Sequence, residues 1–414
     1  MKICIHRGAH QIGGSCVELE SQGKRLLVDL GLPLDAEENT PDLLPAVKGL
    51  REPADDLLGV VISHSHMDHY LLLAHARPDL PVAMGGGARR ILEAAAPWMP
   101  NSVIPAAGPM LEDRKTFDWG PFKITPYLVD HSAFDAFALL IEADGKRVFY
   151  SGDFRAHGRT AWRFDRILKE PPAGVDVLLL EGSSLGRLNL DGRFITEAEL
   201  EEDMVQSFKA TEGIALVSAS AQNIDRIVTM FRAAKRSGRR LLIDLYSAAI
   251  LEATGHASIP QSHWDDVSLY VPEYQKRQIV RKQAFDLLDR HKKNRIFPEH
   301  LAKAAPHSVL LFRKIHQPDL EKHGALMGAQ IFYSLWEGYL KQDSGLELQA
   351  WGEAHGIPLK LLHTSGHASP ADLKRFAEAI DPKVVVPIHS FMPERYQELF
   401  PRTQVHQDRE PWEI

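Results

Sequence analysis

Residues 63–70 read Ser-His-Ser-His-Met-Asp-His-Tyr, and no other segment constrains the chain as tightly. Three imidazoles and one carboxylate, His64, His66, Asp68 and His69, fall within six residues in the order H-x-H-x-D-H. They follow Leu57-Leu58-Gly59-Val60-Val61-Ile62, an apolar run whose length and β-branched content predict a buried strand. Neutral imidazole and carboxylate are ligands that borderline cations such as zinc or manganese accept. His64 and His66 stand two apart, so an extended loop lets them point the same way. Asp68 and His69 follow at once and can turn toward a second ion. The order therefore predicts two cations close together at the end of a strand. A solvated polar loop is the ordinary alternative, but it gives no reason for four ligand-type residues directly behind a buried strand.

This motif resembles the signature of the metallo-β-lactamase superfamily, a four-layer αβ/βα sandwich carrying two metals at one edge. The resemblance implies three further ligands from later strand ends. The candidates are His131 in Tyr127-Leu128-Val129-Asp130-His131-Ser132, Asp153 in Tyr150-Ser151-Gly152-Asp153-Phe154-Arg155, and His389 in Val385-Val386-Pro387-Ile388-His389-Ser390. A lone His or Asp at a strand end is more often a turn residue; these three occur together in the family's order. By analogy with the superfamily, His64, His66 and His131 hold one ion, Asp68, His69 and His389 hold the other, and Asp153 bridges. The cofactors implied are two divalent metal ions, Zn²⁺ or alternatively Mn²⁺.

Two later segments narrow the resemblance. Val177-Leu178-Leu179-Leu180-Glu181-Gly182-Ser183-Ser184 resembles the acidic motif of the β-CASP nuclease group, and His363-Thr364-Ser365-Gly366-His367-Ala368-Ser369 resembles the H-x-S-G-H-A-S motif of its ribonuclease J members. Ile12-Gly13-Gly14-Ser15-Cys16-Val17-Glu18 is similar to the opening hairpin of the same enzymes. The fold class implied is α/β: a metallo-β-lactamase αβ/βα sandwich with an inserted α/β β-CASP domain. Residues 1–185 would form the first part of the sandwich, 186–350 the insertion capping the metal site, and 351–414 the return.

The function implied is metal-dependent phosphodiester hydrolysis in single-stranded nucleic acid, with RNA the leading substrate and DNA the alternative, by exo- or endonucleolytic cleavage in the cytoplasm. His367 would supply the leaving-group proton. Glu181 would orient His367, and Asp68 would act at the metals. His363, Ser365 and Ser220 would hold a neighbouring phosphate, the last from the Ser218–Asn223 loop, whose alternative reading is a helix cap. Asp130 is either a hydrogen-bond partner of His131 or a turn residue. The chain departs from the ribonuclease J pattern in two ways. Tyr70-Leu71-Leu72-Leu73 is bulky where those enzymes have a small residue, which predicts a different pocket floor, and nothing after His389 corresponds to their C-terminal domain.

Composition sets the outer limits. No apolar run approaches the roughly 18–20 residues of a membrane span, and no signal-like segment precedes Lys2-Ile3-Cys4-Ile5. Cys4 and Cys16, on neighbouring candidate strands, are expected to be buried free thiols. The net charge of −7 runs against nucleic acid as a partner, but two basic clusters interrupt it. One is Arg232, Lys235, Arg236, Arg239 and Arg240; the other includes Lys276, Arg277, Arg281, Lys282, Arg290, Lys292, Lys293 and Arg295. Each is either a solvated helix face or a phosphate-binding groove. Homo-oligomerisation is left open. Helices are predicted near 69–78 and 86–97, with Gly85-Gly86-Gly87 as a helix-entry turn rather than a phosphate loop, because no Lys-Ser/Thr follows. From 196 to 254 the order helix, strand, helix, strand, helix predicts a parallel sheet with right-handed crossovers. Strands 308–313 and 329–333 continue that sheet, whereas strand 358–363, helix 370–380 and strand 383–388 are expected back in the first domain. The competing function is a lactonase, thioesterase or small phosphodiesterase of the same fold. The insertion and the His363–His367 motif weigh against it.

Overall fold

The structure is a computed structural model that describes residues 1–99 and 102–414. The chain forms two compact units, residues 1–194 with 366–414 and residues 195–365.

The first unit is built on two sheets packed face to face. One has the order Trp412–Glu413, Lys2–Arg7, Cys16–Ser21, Lys24–Val28, Leu57–Val61, Val82–Gly85, Met110–Leu111. The other runs Val384–Ile388, Val177–Glu181, Lys146–Tyr150, Phe137–Ala143, Phe122–Leu128, Phe117–Trp119. Period-two side-chain alternation gives each strand two faces. Ile3, Ile5, Leu19 and Val61 meet Ile124, Leu139, Val148 and Leu179 in the central core. On the outer side of the second sheet, Phe149, Leu178 and Leu180 pack against Phe164 of helix Trp162–Lys169 and Phe376 of helix Pro370–Ile380. Outside the first sheet, Leu27, Val60 and Val82 meet Leu92 of helix Gly86–Ala95 and the segment Tyr70–Leu73. The result is the four-layer αβ/βα sandwich.

Val177–Glu181 shows why the sandwich is stable. It lies parallel between Lys146–Tyr150 and Val384–Ile388 and is buried on both faces, which its unbroken apolar run requires. Phe376 stacks on Phe149, Phe154 and Phe164 with ring centroids 5.9, 4.3 and 6.1 Å apart. Truncating it to Ala would cost about 3–5 kcal/mol. The bulky Tyr70–Leu73 run fills the outer core. Its apolar bulk is therefore explained by packing, and the expectation that it shapes a pocket floor is replaced by that role. Gly87 and Ala88 donate their amides to Asp135 at 2.7 and 3.3 Å, so the glycines open a helix that the protein's own carboxylate satisfies.

The second unit is a parallel sheet in the order Arg295–Ile296, Val267–Tyr270, Arg240–Ile243, Ser308–Phe312, Ala215–Ser218, Gln330–Tyr333, Leu359–Leu361. Thr196 and Glu199 form the capping box that starts helix Glu197–Ala210, as their spacing predicted. Fully buried Arg226 pairs with Glu197 at 3.1 Å and donates to the Ser334 and Thr364 carbonyls, joining the unit's entry and exit segments. Leu359–Leu361 was expected in the first unit. It pairs instead with Gln330–Tyr333, so 351–365 clusters with the second unit rather than with the return. The physical reason is that its backbone completes the edge of the parallel ladder; Ile331 donates its amide to the Pro358 carbonyl at 2.9 Å.

Candidate metal centre and its acid–base pair

Five strands of the first unit deliver side chains to one place, each from its carboxyl end. Leu57–Val61 leads into His64, His66, Asp68 and His69. From the second sheet, Phe122–Leu128 leads to His131, Lys146–Tyr150 to Asp153, Val177–Glu181 ends on Glu181, and Val384–Ile388 leads to His389. The loop-borne groups are thus fixed by a rigid scaffold.

Among the described residues three groups of donor atoms form, each with all its atoms within 4.8 Å of one another; one is Asp153, Glu181 and His367, and the other two hold the residues read as ligands. His64, His66, His131 and Asp153 make one; Asp68, His69, His389 and Asp153 make the other. Asp153 belongs to both. Its Oδ2 lies 3.2 Å from His69 Nε2 and 3.7 Å from His64 Nε2, and its Oδ1 is 3.4 Å from His389 Nδ1. Asp68 Oδ2 stands 3.6 Å from His389 Nε2 and 3.8 Å from His69 Nε2. The seven residues read as ligands therefore meet, in the partition the resemblance implied.

The donor set fits divalent cations. His64 Nε2, His69 Nε2, His131 Nδ1 and both Asp153 oxygens are buried with no hydrogen-bond partner. Buried polar atoms are rarely left so, and a cation at each group would satisfy them. The protonation states of the first group agree. Burial holds His64 and His131 well below the usual histidine value and brings His66 down to about 4, leaving the neutral imidazoles a metal needs. Asp153 is buried too, yet His389, His69 and His367 hold it well below the usual carboxylate range. His69 differs: against its burial, Asp153, Asp29 and Asp68 raise it well above the usual value, so it must release a proton to bind a cation.

Some supporting residues were not read from the sequence. Asp29, fully buried, lies with Oδ2 2.8 Å from His69 Nδ1. An ionised carboxylate only accepts, so Nδ1 carries the hydrogen and Nε2 is left as the ligand atom. Asp29 also accepts from the Ser63 amide at 2.7 Å, the Ser63 hydroxyl at 2.8 Å and the Tyr150 hydroxyl at 2.6 Å. The only signal was an acid at the end of the apolar run Leu26-Leu27-Val28. Ser15 Oγ lies 3.2 Å from His389 Nδ1, and Gly13 donates its amide to His389 Nε2 at 3.2 Å. At Gly31 a Cβ would lie 1.6 Å from the Asp68 carbonyl oxygen, so only glycine lets the 67–69 segment approach. His389 has φ +51°, left-handed backbone that a non-glycine residue holds only against strain. Its amide donates to the Gly8 carbonyl at 2.8 Å, and its carbonyl accepts from Gly182 N at 3.4 Å.

Beside the metal groups sits an acid–base pair. His367 Nδ1 is 3.4 Å from Glu181 Oε2 and 3.7 Å from Asp153 Oδ2. Burial alone would lower the His367 pKa, but Glu181 and then Asp153 outweigh it and raise it to about 9. Glu181 is itself held by the Ser183 amide at 3.1 Å and the Ala368 amide at 3.4 Å.

Other candidates resolve differently. Asp130 accepts from the Gly158 amide at 2.7 Å and the Thr160 hydroxyl at 2.9 Å, anchoring the loop after Asp153. Asn223 caps helix Ile224–Arg236, and Ser220 Oγ accepts from the Gln222 amide at 3.2 Å, which is the helix-cap reading of that loop. His363 is half-buried and Ser365 buried in the second unit. The first basic cluster is largely neutralised: Arg232 and Arg236 pair with Glu201, Lys235 pairs with Asp266, and buried Arg239 donates to backbone carbonyls. In the second, Lys276 and Arg277 face Glu273, Arg290 faces Glu252 and Lys292 faces Asp289, while Arg281 and Lys282 are exposed. Cys4 and Cys16 are free and buried, and burial pushes the Cys4 thiol up to about 11. Among the described residues no helix is long and apolar enough to cross a membrane.

Comparison with known proteins agrees with the geometry. Residues 24–213 match the family described as Beta-lactamase superfamily domain. Ribonuclease J of Mycobacterium tuberculosis is 25% identical over 261 residues, covering 58% of this chain and 44% of the relative. Ribonuclease J of Synechocystis is 24% identical over 403 residues, covering 94% of this chain and 60% of the relative. The chain thus spans about half the length of these curated relatives. A crystal structure titled as a protein of unknown function from Enterococcus faecalis superposes with a TM-score of 0.79, covers 99% of both chains and is 19% identical, which shows the shared fold. Sheet order, the strand-end groups and these matches together give the chain a metallo-β-lactamase fold, with a β-lactamase superfamily domain over residues 24–213 and similarity to ribonuclease J.

Proposed function

We propose that the protein is a β-CASP-type nuclease that hydrolyses phosphodiester bonds in single-stranded RNA, using two divalent cations, zinc or manganese. The observation that carries the reading is the His367–Glu181 pair, 3.4 Å apart, beside two cation-fitting groups that share Asp153. A lone metal centre serves many hydrolyses; an added, carboxylate-oriented acid serves one with a poor oxygen leaving group. The similarity to ribonuclease J relatives supports RNA over other phosphodiesters.

When bound, the two cations supply Lewis acidity and a nucleophile at neutral pH. His64, His66, His131 and Asp153 would hold one, and Asp68, His69, His389 and Asp153 the other. Glu181 keeps a proton on His367 and turns its Nδ1 inward. His367 then delivers a proton from Nε2 to the departing oxygen. With Asp153 and Asp68 committed to holding cations, Glu181, already the first of the carboxylates that raise His367, would be the partner that keeps it charged at neutral pH. His363 and Ser365 are proposed contacts to a phosphate of the same strand; Ser220 is withdrawn from that role by the helix-cap reading of its loop. Two buried free thiols suit a reducing compartment, and we assign the protein to the cytoplasm.

The test is incubation with 5′-labelled single-stranded RNA and DNA in Mn²⁺ or Zn²⁺, with product sizing. RNA cleavage abolished by chelation is the expected result. Efficient turnover of a lactone or thioester with both nucleic acids left intact would replace the reading with the small-molecule one.

A further inference from the structure

We infer that the second unit carries a pocket for one unstacked nucleotide of a single strand, built at the carboxyl ends of three adjacent parallel strands. This rests on the nuclease reading and names a substrate contact within it.

The cavity measures about 210 Å³. Ser218, Phe312 and Tyr333 line it, and each is the last residue of its strand: Ala215–Ser218, Ser308–Phe312 and Gln330–Tyr333. Ala215–Ser218 lies between the other two. From it the chain crosses toward the Arg240–Ile243 side, whereas from Ser308–Phe312 it crosses toward Gln330–Tyr333 and the opposite edge. The two connections run in opposite directions past each other and so, being right-handed, lie on opposite faces of the sheet, which leaves a crevice outside the strand ends, where open parallel sheets bind ligands.

The lining fits a nucleobase. Phe312, Tyr333 and Leu348 supply apolar surface for a flat face. Gln317 and Ser344 supply donors and acceptors for an edge, the two features by which unstacked bases are recognised. At the rim, Lys314 is 71% exposed and pairs with Glu347. Arg313 also lines the cavity; its guanidinium lies 4.7 Å over the Tyr246 ring, and its Nε is buried without a hydrogen-bond partner. The volume falls below the roughly 300–1,000 Å³ of pockets for drug-sized ligands, which limits the occupant to one nucleotide. A free mononucleotide offers the same chemistry.

The test uses the full chain and a nuclease-resistant, fluorescein-labelled phosphorothioate RNA 12-mer, with a matched strand whose bases are removed. Fluorescence anisotropy on the wild type should show the base-bearing strand binding about tenfold tighter, within the range one stacked base supplies. Ser344→Leu, which fills the cavity from an exposed position, should abolish that preference. Affinity for the abasic strand and hydrolysis of bis(p-nitrophenyl) phosphate should be unchanged. Gln317→Ala, a smaller change that serves if Ser344→Leu lowers the melting temperature, should reduce the preference. If both variants keep the wild-type preference while RNA is still bound and cleaved, the pocket assignment is wrong and the nuclease reading stands. If the wild type neither binds nor cleaves any strand, the nuclease reading falls and the pocket with it. Competition by 5′-AMP without any base preference among strands would give the pocket to free mononucleotides and overturn the polynucleotide assignment.

Discussion

Replacing Asp29 with Asn tests whether the metal centre is organised from outside its ligand shell. Asp29 touches no cation group directly, but it holds His69 by Nδ1 at 2.8 Å and accepts three further hydrogen bonds from Ser63 and Tyr150. The amide keeps the volume and one acceptor. Its NH₂ must then face a donor, because both carboxylate oxygens are already receiving one. The loss is at least one charge-assisted bond in a buried place, about 1.5–3 kcal/mol. For a unit of this size each kcal/mol lowers the melting temperature by about 2–4 °C, so the metal-free variant should melt about 3–12 °C lower. Separately, the His69 ring loses the partner that fixes its tautomer, and such losses reduce metal affinity by about 10–100-fold. Melting of the chelated protein reads the first effect; competition with a chromogenic chelator reads the second. A variant that melts early but takes up metal like the wild type would reduce Asp29 to scaffolding, and one that changes neither would refute the argument outright.

Four further outcomes are expected. Asp153→Ala should lose cations from both groups, seen as metal content per chain by elemental analysis, because its carboxylate is common to both. His367→Ala should keep its metal content and lose about 10²–10⁴-fold in turnover. Glu181→Gln should move the alkaline limb of the pH–rate profile downward: His367 acts protonated, activity falls as pH rises through its pKa, and Glu181 is the main group raising that pKa to about 9 against burial. In the second unit, burial, with Arg313 beside it, brings fully buried His316 down to about 3. The unfolded histidine binds a proton near pH 6.5 and the folded one does not. Stability is therefore full above pH 6.5 and declines as pH falls toward 3, by at most about 5 kcal/mol, with His316→Gln flattening the slope measured by denaturant titration.

The parts of the site that were legible in the sequence are those where local pattern and chemistry coincide. An apolar run ending in a ligand-type residue marks both a strand and a candidate at its end; that pattern singles out His64, while His131, Asp153 and His389 become candidates only through the family's order of ligands. Asp29 followed the same pattern and was passed over. Nothing near it in sequence is a ligand, and its partner lies forty positions away. Only the parallel pairing of Lys24–Val28 with Leu57–Val61 brings Asp29 beside Ser63 and His69. Leu359–Leu361 shows the complementary limit. Its short apolar pattern fits an edge of either sheet, and the choice is made by which ladder has an open edge.

Charge shows the same division between what residues are and what they meet. The basic residues at 232–240 are a groove or a solvated face with equal justice until their partners are known. The acids that settle it, Glu201 and Asp266, come from a preceding helix and from beyond the following strand. Exposed ion pairs of this kind contribute little stability, but they cancel the field a phosphate chain would follow. Arg281 and Lys282 are exposed near the end of helix Glu273–Lys282. If a strand is drawn to the second unit by charge, these two are the groups to neutralise, and a salt dependence of RNA binding unchanged after both become Gln would remove that unit from electrostatic capture.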